Sequence, residues 1–133
     1  MDEDIIEFNI AHNRMYSTDH LWFQDKDDRW MIGVSEFLLA EVGDVLRIIL
    51  PDQDAELDEG QDLFSLWTAD EKITFSAPFS GMVVEVNGEV ESNPELANDS
   101  PYDLGWILIL DPHVATQDVL LEAEEYIDHL AEG

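Results

Sequence analysis

Residues 62–88 read DLFSLWTADEKITFSAPFSGMVVEVNG, and this stretch decides the fold. Apolar and polar residues alternate across 63–67 and again across 73–77, which is the pattern of β-strands with one buried face. A polar break at 70–72 separates the two runs. The pattern therefore predicts a β-hairpin whose tip lies near Asp70.

The flanking sequence adds further short elements, each marked by a turn or cap signal. Downstream of the hairpin, the sequence predicts a turn at 78–81, a strand at 82–86 and a turn at Asn87-Gly88. A loop or short helical turn at 93–102, a last strand at 105–110 and a helix from Thr116 onward follow. Upstream, it predicts a hairpin of 16–23 and 30–34 around the acidic break 25–28, a helix between Ser35 and Gly43, and a buried strand at 45–50. The late helix has one apolar face, which indicates packing on the core, formed by Leu120, Ala123, Ile127 and Leu130.

Several short strands with an early short helix and a late longer helix indicate a mostly β fold with short helices (α+β). A small β-sandwich or flattened barrel fits this pattern. A chain of 133 residues is long enough to bury the core of one domain. We therefore expect residues 1–14 to be a lead-in and residues 15–133 to form a single domain.

The charge is strongly one-sided, because 32 acidic residues stand against five basic ones and give a formal net charge of −27. Such a surface repels nucleic acid and anionic membranes, since both are polyanions. It suits a basic protein partner or a salty medium, and it serves solubility equally well. The hydrophobic fraction of 45% excludes a disordered acidic tail.

The sequence contains no cysteine, which excludes disulfides, thiol catalysis and thiolate metal sites. No apolar run approaches the roughly 20 residues that span a bilayer. Residues 1–7 are acidic, whereas a signal peptide would begin with basic residues. We therefore expect a cytoplasmic protein, or an organelle protein in its mature form.

The sequence has no pattern typical of a catalytic or metal site. Carboxylates alternate at Asp52, Asp54, Glu56 and Asp58, but a calcium loop needs glycine at its sixth position, which is Leu57 here. None of the four histidines has metal-ligand spacing. We expect a solvated acidic loop, no metal and no catalytic residue.

Five stretches, in order along the chain, carry a family resemblance. They are 16–23 (YSTDHLWF), 32–35 with 42–45 (IGVS, VGDV), Leu50-Pro51 followed by Gly60, 76–81 with 86–87 (SAPFSG, VN), and 93–98 with 101–102 and 105–107 (NPELAN, PY, GWI). Together they resemble the H protein of the glycine cleavage system, from about Met15 to the C-terminus. The resemblance implies a hybrid barrel-sandwich fold of the lipoyl-domain type.

The resemblance also implies a carrier function. Members of this family carry lipoate on a lysine at a hairpin tip. The arm takes an aminomethyl group from glycine decarboxylase, presents it to the aminomethyltransferase and is reoxidised by dihydrolipoamide dehydrogenase. The cofactor carries the reaction while the protein positions it. The implied partners are these three enzymes and the enzyme that attaches lipoate.

Asp70 stands where the resemblance places the lipoyl lysine. The family's offsets from Gly60 and from Gly81 both lead to Asp70 without a gap, and its usual Glu-Ser-Val-Lys is replaced by WTAD at 67–70. A carboxylate cannot form the amide bond to lipoate. We therefore expect that the lipoyl lysine is absent and that no cofactor is attached.

Lys72 is the only other candidate for attachment near the tip, because Lys26 lies in the first acidic break. It stands two residues beyond Asp70, which is the same face of a strand roughly 7 Å further along. It is either a solvated lysine that offsets the tip carboxylates or a displaced lipoyl site on a rearranged tip. Trp67, where the family has an acidic residue, is either a partner anchor or a core residue.

Three functions are compatible with these observations. The first is a degenerate H-like protein that has lost its lipoyl lysine and acts as a non-catalytic binding or regulatory module. The second is an active lipoyl carrier of the glycine cleavage system, modified at Lys72. The third is an acidic assembly protein for a basic partner. An enzyme is not expected, since no catalytic constellation is present.

Overall fold

The computed structural model describes residues 14–113 and 120–132, so the predicted lead-in lies outside the described residues except for Arg14. Within them the chain forms ten strands and four helices, and the fold is mostly β. The strands are β1 (Met15–Tyr16), β2 (Leu21–Lys26), β3 (Arg29–Val34), β4 (Arg47–Ile49), β5 (Glu56–Leu57), β6 (Asp62–Trp67), β7 (Lys72–Ser76), β8 (Gly81–Val86), β9 (Leu108–Pro112) and β10 (Leu121–Glu122). The helices are α1 (Glu36–Val42), α2 (Gly88–Ser92), α3 (Glu95–Asp99) and α4 (Ala123–Glu132).

The strands form two antiparallel sheets. The larger sheet has the order β10-β1-β2-β3-β9-β8-β5, and the smaller has the order β4-β6-β7. Buried side chains of both sheets belong to one apolar cluster, for example Phe23 and Ile32 from the larger sheet and Leu66 and Phe75 from the smaller. The core therefore joins the two sheets, which is the layered β arrangement that the sequence predicts.

The predicted first hairpin is confirmed in its central part, but its first arm, predicted over 16–23, is divided into β1 and β2 by residues 17–20. Strands β2 and β3 pair in register up to Lys26 and Arg29, which leaves Asp27 and Asp28 as a two-residue turn. Both turn residues have positive φ, 55° and 69°. Positive φ at both central positions is the type I′ geometry that matches the twist of a hairpin, and aspartate tolerates it better than most residues.

The predicted early helix is also confirmed. The side chain of Ser35 caps α1 by accepting a hydrogen bond from the backbone N–H of Leu38 (3.4 Å). The helix ends at Gly43, whose φ of 82° is unfavourable for a residue with a β-carbon.

The predicted buried strand at 45–50 is wrong in its burial. Strand β4 has three residues, of which Ile48 is buried while Arg47 and Ile49 are exposed. It is an edge strand of the smaller sheet, so one of its faces packs on the core and the other meets solvent. A short apolar run does not reveal this difference, because it is compatible with burial on one face or on both.

The turn predicted at Asn87-Gly88 is instead the start of a helix. Asn87 caps α2, accepting a hydrogen bond from the backbone N–H of Glu89 (3.2 Å). The same side chain donates to the carbonyl oxygens of Leu104 and Trp106 (3.0 and 2.7 Å). Asparagine favours both turns and helix N-termini, so the dipeptide alone does not distinguish the two.

The C-terminal part differs from the prediction at both ends. Strand β9 begins three residues later than expected and is not the last strand, because β10 pairs with β1. The described part of the final helix begins at Ala123, and the predicted start at Thr116 lies outside the described residues. The predicted packing face is present in part. Ala123 and Tyr126 are buried in a second apolar cluster and Leu130 packs against it half-buried, whereas Leu120 lies before the helix and belongs to the main core.

Candidate functional site

The candidate site is the hairpin of β6 and β7. These strands pair from Phe64 with Phe75 to Trp67 with Lys72, which leaves a four-residue tip at 68–71. The tip is closed by a hydrogen bond from the backbone N–H of Thr68 to the carbonyl oxygen of Glu71 (2.9 Å). The predicted hairpin is therefore confirmed.

Thr68 organises the tip from below. Its side chain is buried, and its Oγ1 accepts hydrogen bonds from the backbone N–H groups of Asp70 and Glu71 (both 3.3 Å). A threonine hydroxyl commonly supports a turn in this way. The tip thus has a defined backbone, and the side chains of residues 69–71 are exposed at its end.

Asp70 lies at the hairpin tip, as the alternation of apolar and polar residues predicts. Its carboxylate and that of Glu71 both face solvent. A carboxylate has no nucleophilic nitrogen, so it cannot form the amide that would hold lipoate. The side chain at this position therefore does not fit the cofactor that the resemblance implies.

Lys72 lies below the tip, as the first residue of β7. It is exposed, and its Nζ lies 5.5 Å from the centroid of the Trp67 ring, within range of a cation–π interaction. Its backbone is fixed by pairing with Trp67 in the strand rather than by the loop. The rearranged tip with Lys72 at the apex is not the conformation of this structure.

Trp67 is exposed, with 38% of its surface accessible, so of the two alternatives it is not a core residue. A register shift between Asp62 and Phe64 explains this position. The irregularity places Phe64 and Leu66 in the core and Trp67 on the outer face, although Leu63 is also buried.

Sequence reasoning missed Arg47, which pairs with Trp67 across β4 and β6. Directly opposed residues of an antiparallel pair point to the same face, so the arginine lies beside the tryptophan. The register between β4 and β6 is set across the twelve residues 50–61 that separate the two strands, and no local signal in the sequence predicts it.

A second polar cluster joins β2 to the C-terminal helix. The hydroxyl of Tyr126 is hydrogen-bonded with His20 Nδ1 (2.8 Å) and with the Ser35 hydroxyl (2.9 Å). Burial lowers the pKa of His20, and the nearby His129 lowers it further. Burial also raises the pKa of the Tyr126 hydroxyl. These shifts disfavour charge on both side chains, and the Ser35 hydroxyl is buried and also caps α1, which fits a structural role for His20.

The alternating carboxylates at 52–58 lie exposed at the surface, and Glu56 is paired with His113 Nε2 at 2.7 Å. Among the residues described, no group of three or more histidine, aspartate or glutamate side chains is arranged to hold a metal ion. In the same part of the chain, no helix is long and apolar enough to cross a membrane.

The sequence of this chain matches a known protein family. The family model described as "Glycine cleavage H-protein" matches residues 14–133. The glycine cleavage system H protein of Geobacillus sp. (strain WCH70) is 36% identical over 126 residues, covering 94% of this chain and 99% of the relative. The H protein of Halalkalibacterium halodurans is 34% identical over 125 residues, covering 93% and 98%.

A solved structure agrees with these sequence relatives. The crystal structure of a glycine cleavage system H protein from Mycobacterium marinum superposes with a TM-score of 0.83 at 25% identity, covering 92% of this chain and 99% of that one. The predicted fold class, mostly β with short helices and lipoyl-domain-like, is thereby confirmed. The chain belongs to the glycine cleavage H-protein family.

Proposed function

We propose that this chain is an H-type protein that has lost its lipoyl lysine and acts as a non-catalytic binding or regulatory module. The family normally carries lipoate on a lysine. The observation that carries the proposal is Asp70, a carboxylate at the tip of the β6–β7 hairpin. This is the position to which both glycine offsets of the family lead.

Lys72 does not replace the missing amine in this proposal. It lies two residues beyond Asp70, outside the tip 68–71, where it is the first residue of β7 and pairs with Trp67. Its ammonium group is held near the Trp67 ring, 5.5 Å from the centroid, rather than presented at the tip. An attaching enzyme that requires an amine at the tip would therefore find two carboxylates there.

A protein of this kind acts by occupying the binding sites of its partner enzymes and does not transfer a chemical group. Its fold is that of the carrier family, so it offers the shape that enzymes of the glycine cleavage system bind. Glycine decarboxylase, the aminomethyltransferase and dihydrolipoamide dehydrogenase are therefore the proposed partners. Without an arm it delivers no aminomethyl group, and bound copies would exclude the lipoylated carrier.

The test is lipoylation by a lipoate–protein ligase supplied with lipoate and ATP, followed by intact-mass measurement. The wild type and Lys72→Arg should both remain at the unmodified mass. Asp70→Lys combined with Lys72→Arg should gain one lipoyl group, because the substitution restores an amine at the tip. Glu71→Lys with Lys72→Arg is the matched control, since its new amine lies one residue away.

Two outcomes would contradict the proposal. If the wild type gains a lipoyl group and Lys72→Arg abolishes the gain, the chain is an active carrier with a displaced lysine. If Asp70→Lys is no better a substrate than Glu71→Lys, Asp70 does not occupy the acceptor position. Unchanged melting curves for all variants would exclude unfolding as the cause.

The regulatory part of the proposal has its own readout. Glycine cleavage is reconstituted with a lipoylated H protein, and the wild-type chain is added in increasing amounts. Turnover should fall, and additional lipoylated carrier should restore it. A rate that stays constant at a large excess of this chain would contradict a regulatory role.

The net charge of −27 supports a second candidate, an acidic assembly protein for a basic partner. That function predicts binding that weakens steeply with salt, because the attraction would be long-range and screened. A salt series on any partner identified for the chain distinguishes the two candidates. Binding that persists at high salt supports docking through shape, and its loss supports docking through charge.

A further inference from the structure

The outer face of the smaller sheet carries an unusual row of side chains beside the hairpin tip. Arg47 pairs with Trp67, and Trp67 pairs with Lys72, so the three residues lie side by side across β4, β6 and β7. We call them the tryptophan row. Adjacent strands are about 4.8 Å apart, so the row spans roughly 10 Å with the indole at its centre.

Exposed apolar side chains lie beside the row, close to the tip carboxylates Asp70 and Glu71. Four large hydrophobic side chains are exposed among the described residues, and three belong to this corner: Leu46 at 60%, Trp67 at 38% and Ile49 at 36%. Ile49 lies two residues from Arg47 on the same face of β4. The backbone N–H of Leu46 donates to the Trp67 carbonyl oxygen (2.7 Å). Clustered exposed apolar residues mark interaction sites more often than isolated ones do.

The row also concentrates the chain's rare positive charge. Two of the five basic residues are Arg47 and Lys72, in a chain with 32 acidic residues. Within the described part of the chain, neither forms an ion pair with any of these carboxylates. Both cations therefore have donors to offer a group outside the chain. Arginine is particularly suited to a carboxylate, which it can bind through two hydrogen bonds.

We infer that the tryptophan row docks an acidic segment of a partner protein. An apolar side chain of the segment would pack on Trp67 and Ile49, while its carboxylates would bind Arg47 and Lys72. The inference rests on the proposed function, because a protein that carries no lipoyl group acts only through the surfaces that bind its partners. A basic segment would meet two like charges here. The net charge of −27 opposes a long polyanion such as nucleic acid, whereas a short segment with few carboxylates interacts mainly with the charges of the row itself, because more distant charges are screened by salt.

The test uses short peptides as probes and the indole N–H signal of Trp67 in NMR spectra as the readout. Three peptides are compared: alternating glutamate and leucine, alternating lysine and leucine, and alternating glutamate and serine. A Trp67→Phe variant assigns the signal among the four tryptophans. The glutamate–leucine peptide should shift the signal in a saturable way. The other two should bind about tenfold more weakly or not at all, since each lacks one of the two required contacts.

A charge-matched pair of double variants separates local from global effects. Arg47→Glu with Lys72→Glu reverses the cations of the row, and Lys26→Glu with Arg29→Glu reverses two exposed cations at the β2–β3 turn. Both variants change the net charge by the same amount. The first should lose at least about tenfold in affinity for the glutamate–leucine peptide, whereas the second should retain the affinity of the wild type.

Several results would overturn the inference. These are equal losses in the two double variants, tighter binding of the lysine–leucine peptide, a shift of the Trp67 signal by a single-stranded oligonucleotide, or peptide-induced shifts confined to another surface. The experiment uses unmodified protein and reads binding alone. A lipoyl group found on Lys72 would contradict the proposed function and would also remove one cation of the row. Failure of peptide binding by the unmodified protein would overturn the inference alone, so the two failures are distinguishable.

Discussion

Substitution of Gly33 by alanine tests the packing that fixes the position of the larger sheet's central strands. Gly33 lies opposite Trp22 in the β2–β3 pair, and the indole covers it. A β-carbon built on Gly33 would lie 2.5 Å from the indole Nε1 and would overlap two carbons of the ring. Since ordinary contacts are about 3.5–4.0 Å, the ring would have to move by about 1 Å.

Trp22 has little freedom to make that movement. Its side chain is fully buried, and its Nε1–H donates to the carbonyl oxygen of Pro101 (2.8 Å). The guanidinium carbon of Arg14 lies 4.6 Å from the ring centroid on one side. Overpacking typically costs about 1–3 kcal/mol, and a weakened hydrogen bond adds about 1 kcal/mol. We expect Gly33→Ala to lower the free energy of unfolding by about 2–4 kcal/mol.

Urea unfolding followed by far-ultraviolet circular dichroism measures this loss without relying on tryptophan fluorescence. Gly88→Ala is the matched control, because a β-carbon there meets nothing within 4 Å. It should change the stability by less than about 1 kcal/mol. In a Trp22→Phe background, the cost of Gly33→Ala should fall, because the smaller ring leaves room. A Gly33→Ala protein as stable as the wild type, or an equal cost in both backgrounds, would refute the reasoning.

Three further substitutions test individual contacts. Burial and the nearby His129 lower the pKa of His20 in the folded state, so the unfolded state binds more protons. The protein should therefore lose stability as the pH falls below 6.5, the ordinary pKa of histidine. In the His20→Asn variant, whose asparagine tolerates the positive φ of 73°, the free energy of unfolding should fall less between pH about 7.5 and about 5.5. A pH dependence of unfolding equal to that of the wild type would contradict this role of His20. Thr68→Ala removes the acceptor for two tip N–H groups and should speed hydrogen exchange at Asp70 and Glu71 while Thr74→Ala does not; equal exchange in both variants would contradict the tip geometry. Asn87→Ala removes a helix cap and two donated hydrogen bonds and should cost about 2–4 kcal/mol in urea unfolding, whereas a loss below about 1 kcal/mol would show that these bonds are not needed.

The hairpins and the first helix could be predicted because their determinants are local. Alternation around a polar break fixes the β6–β7 hairpin, and an acidic pair able to adopt positive φ fixes the β2–β3 turn. Ser35 and Gly43 mark the ends of α1 through their own side chain and backbone. Each of these signals operates within a few residues, so tertiary contacts are not needed to read it.

The features that sequence did not predict depend on contacts between distant segments. Strand β10 has only two residues, and it exists because Met15 and Tyr16 of β1 pair with it. Whether β4 is buried depends on which sheet it joins and on its position at the edge. A strand of two or three residues is too short to display a period, so composition cannot locate it.

The candidate site was predictable in position and less so in its surroundings. The chain offsets from Gly60 and Gly81 lead to Asp70, and the structure places Asp70 at a hairpin tip. The exposure of Trp67 was not predictable, because the shift of register between Asp62 and Phe64 changes the phase of the alternation. Arg47 was missed because cross-strand neighbours depend on the register between strands, which is a property of the folded sheet.

The proposed absence of a lipoyl group is tested most directly by the intact mass of the protein isolated from its native host. Expression in that host supplies the attaching enzyme and the cofactor that the chain normally meets. We predict a single species at the mass of the unmodified chain. A species heavier by one lipoyl group, with the group located on Lys72 by peptide mass spectrometry, would contradict the account and identify the chain as an active carrier.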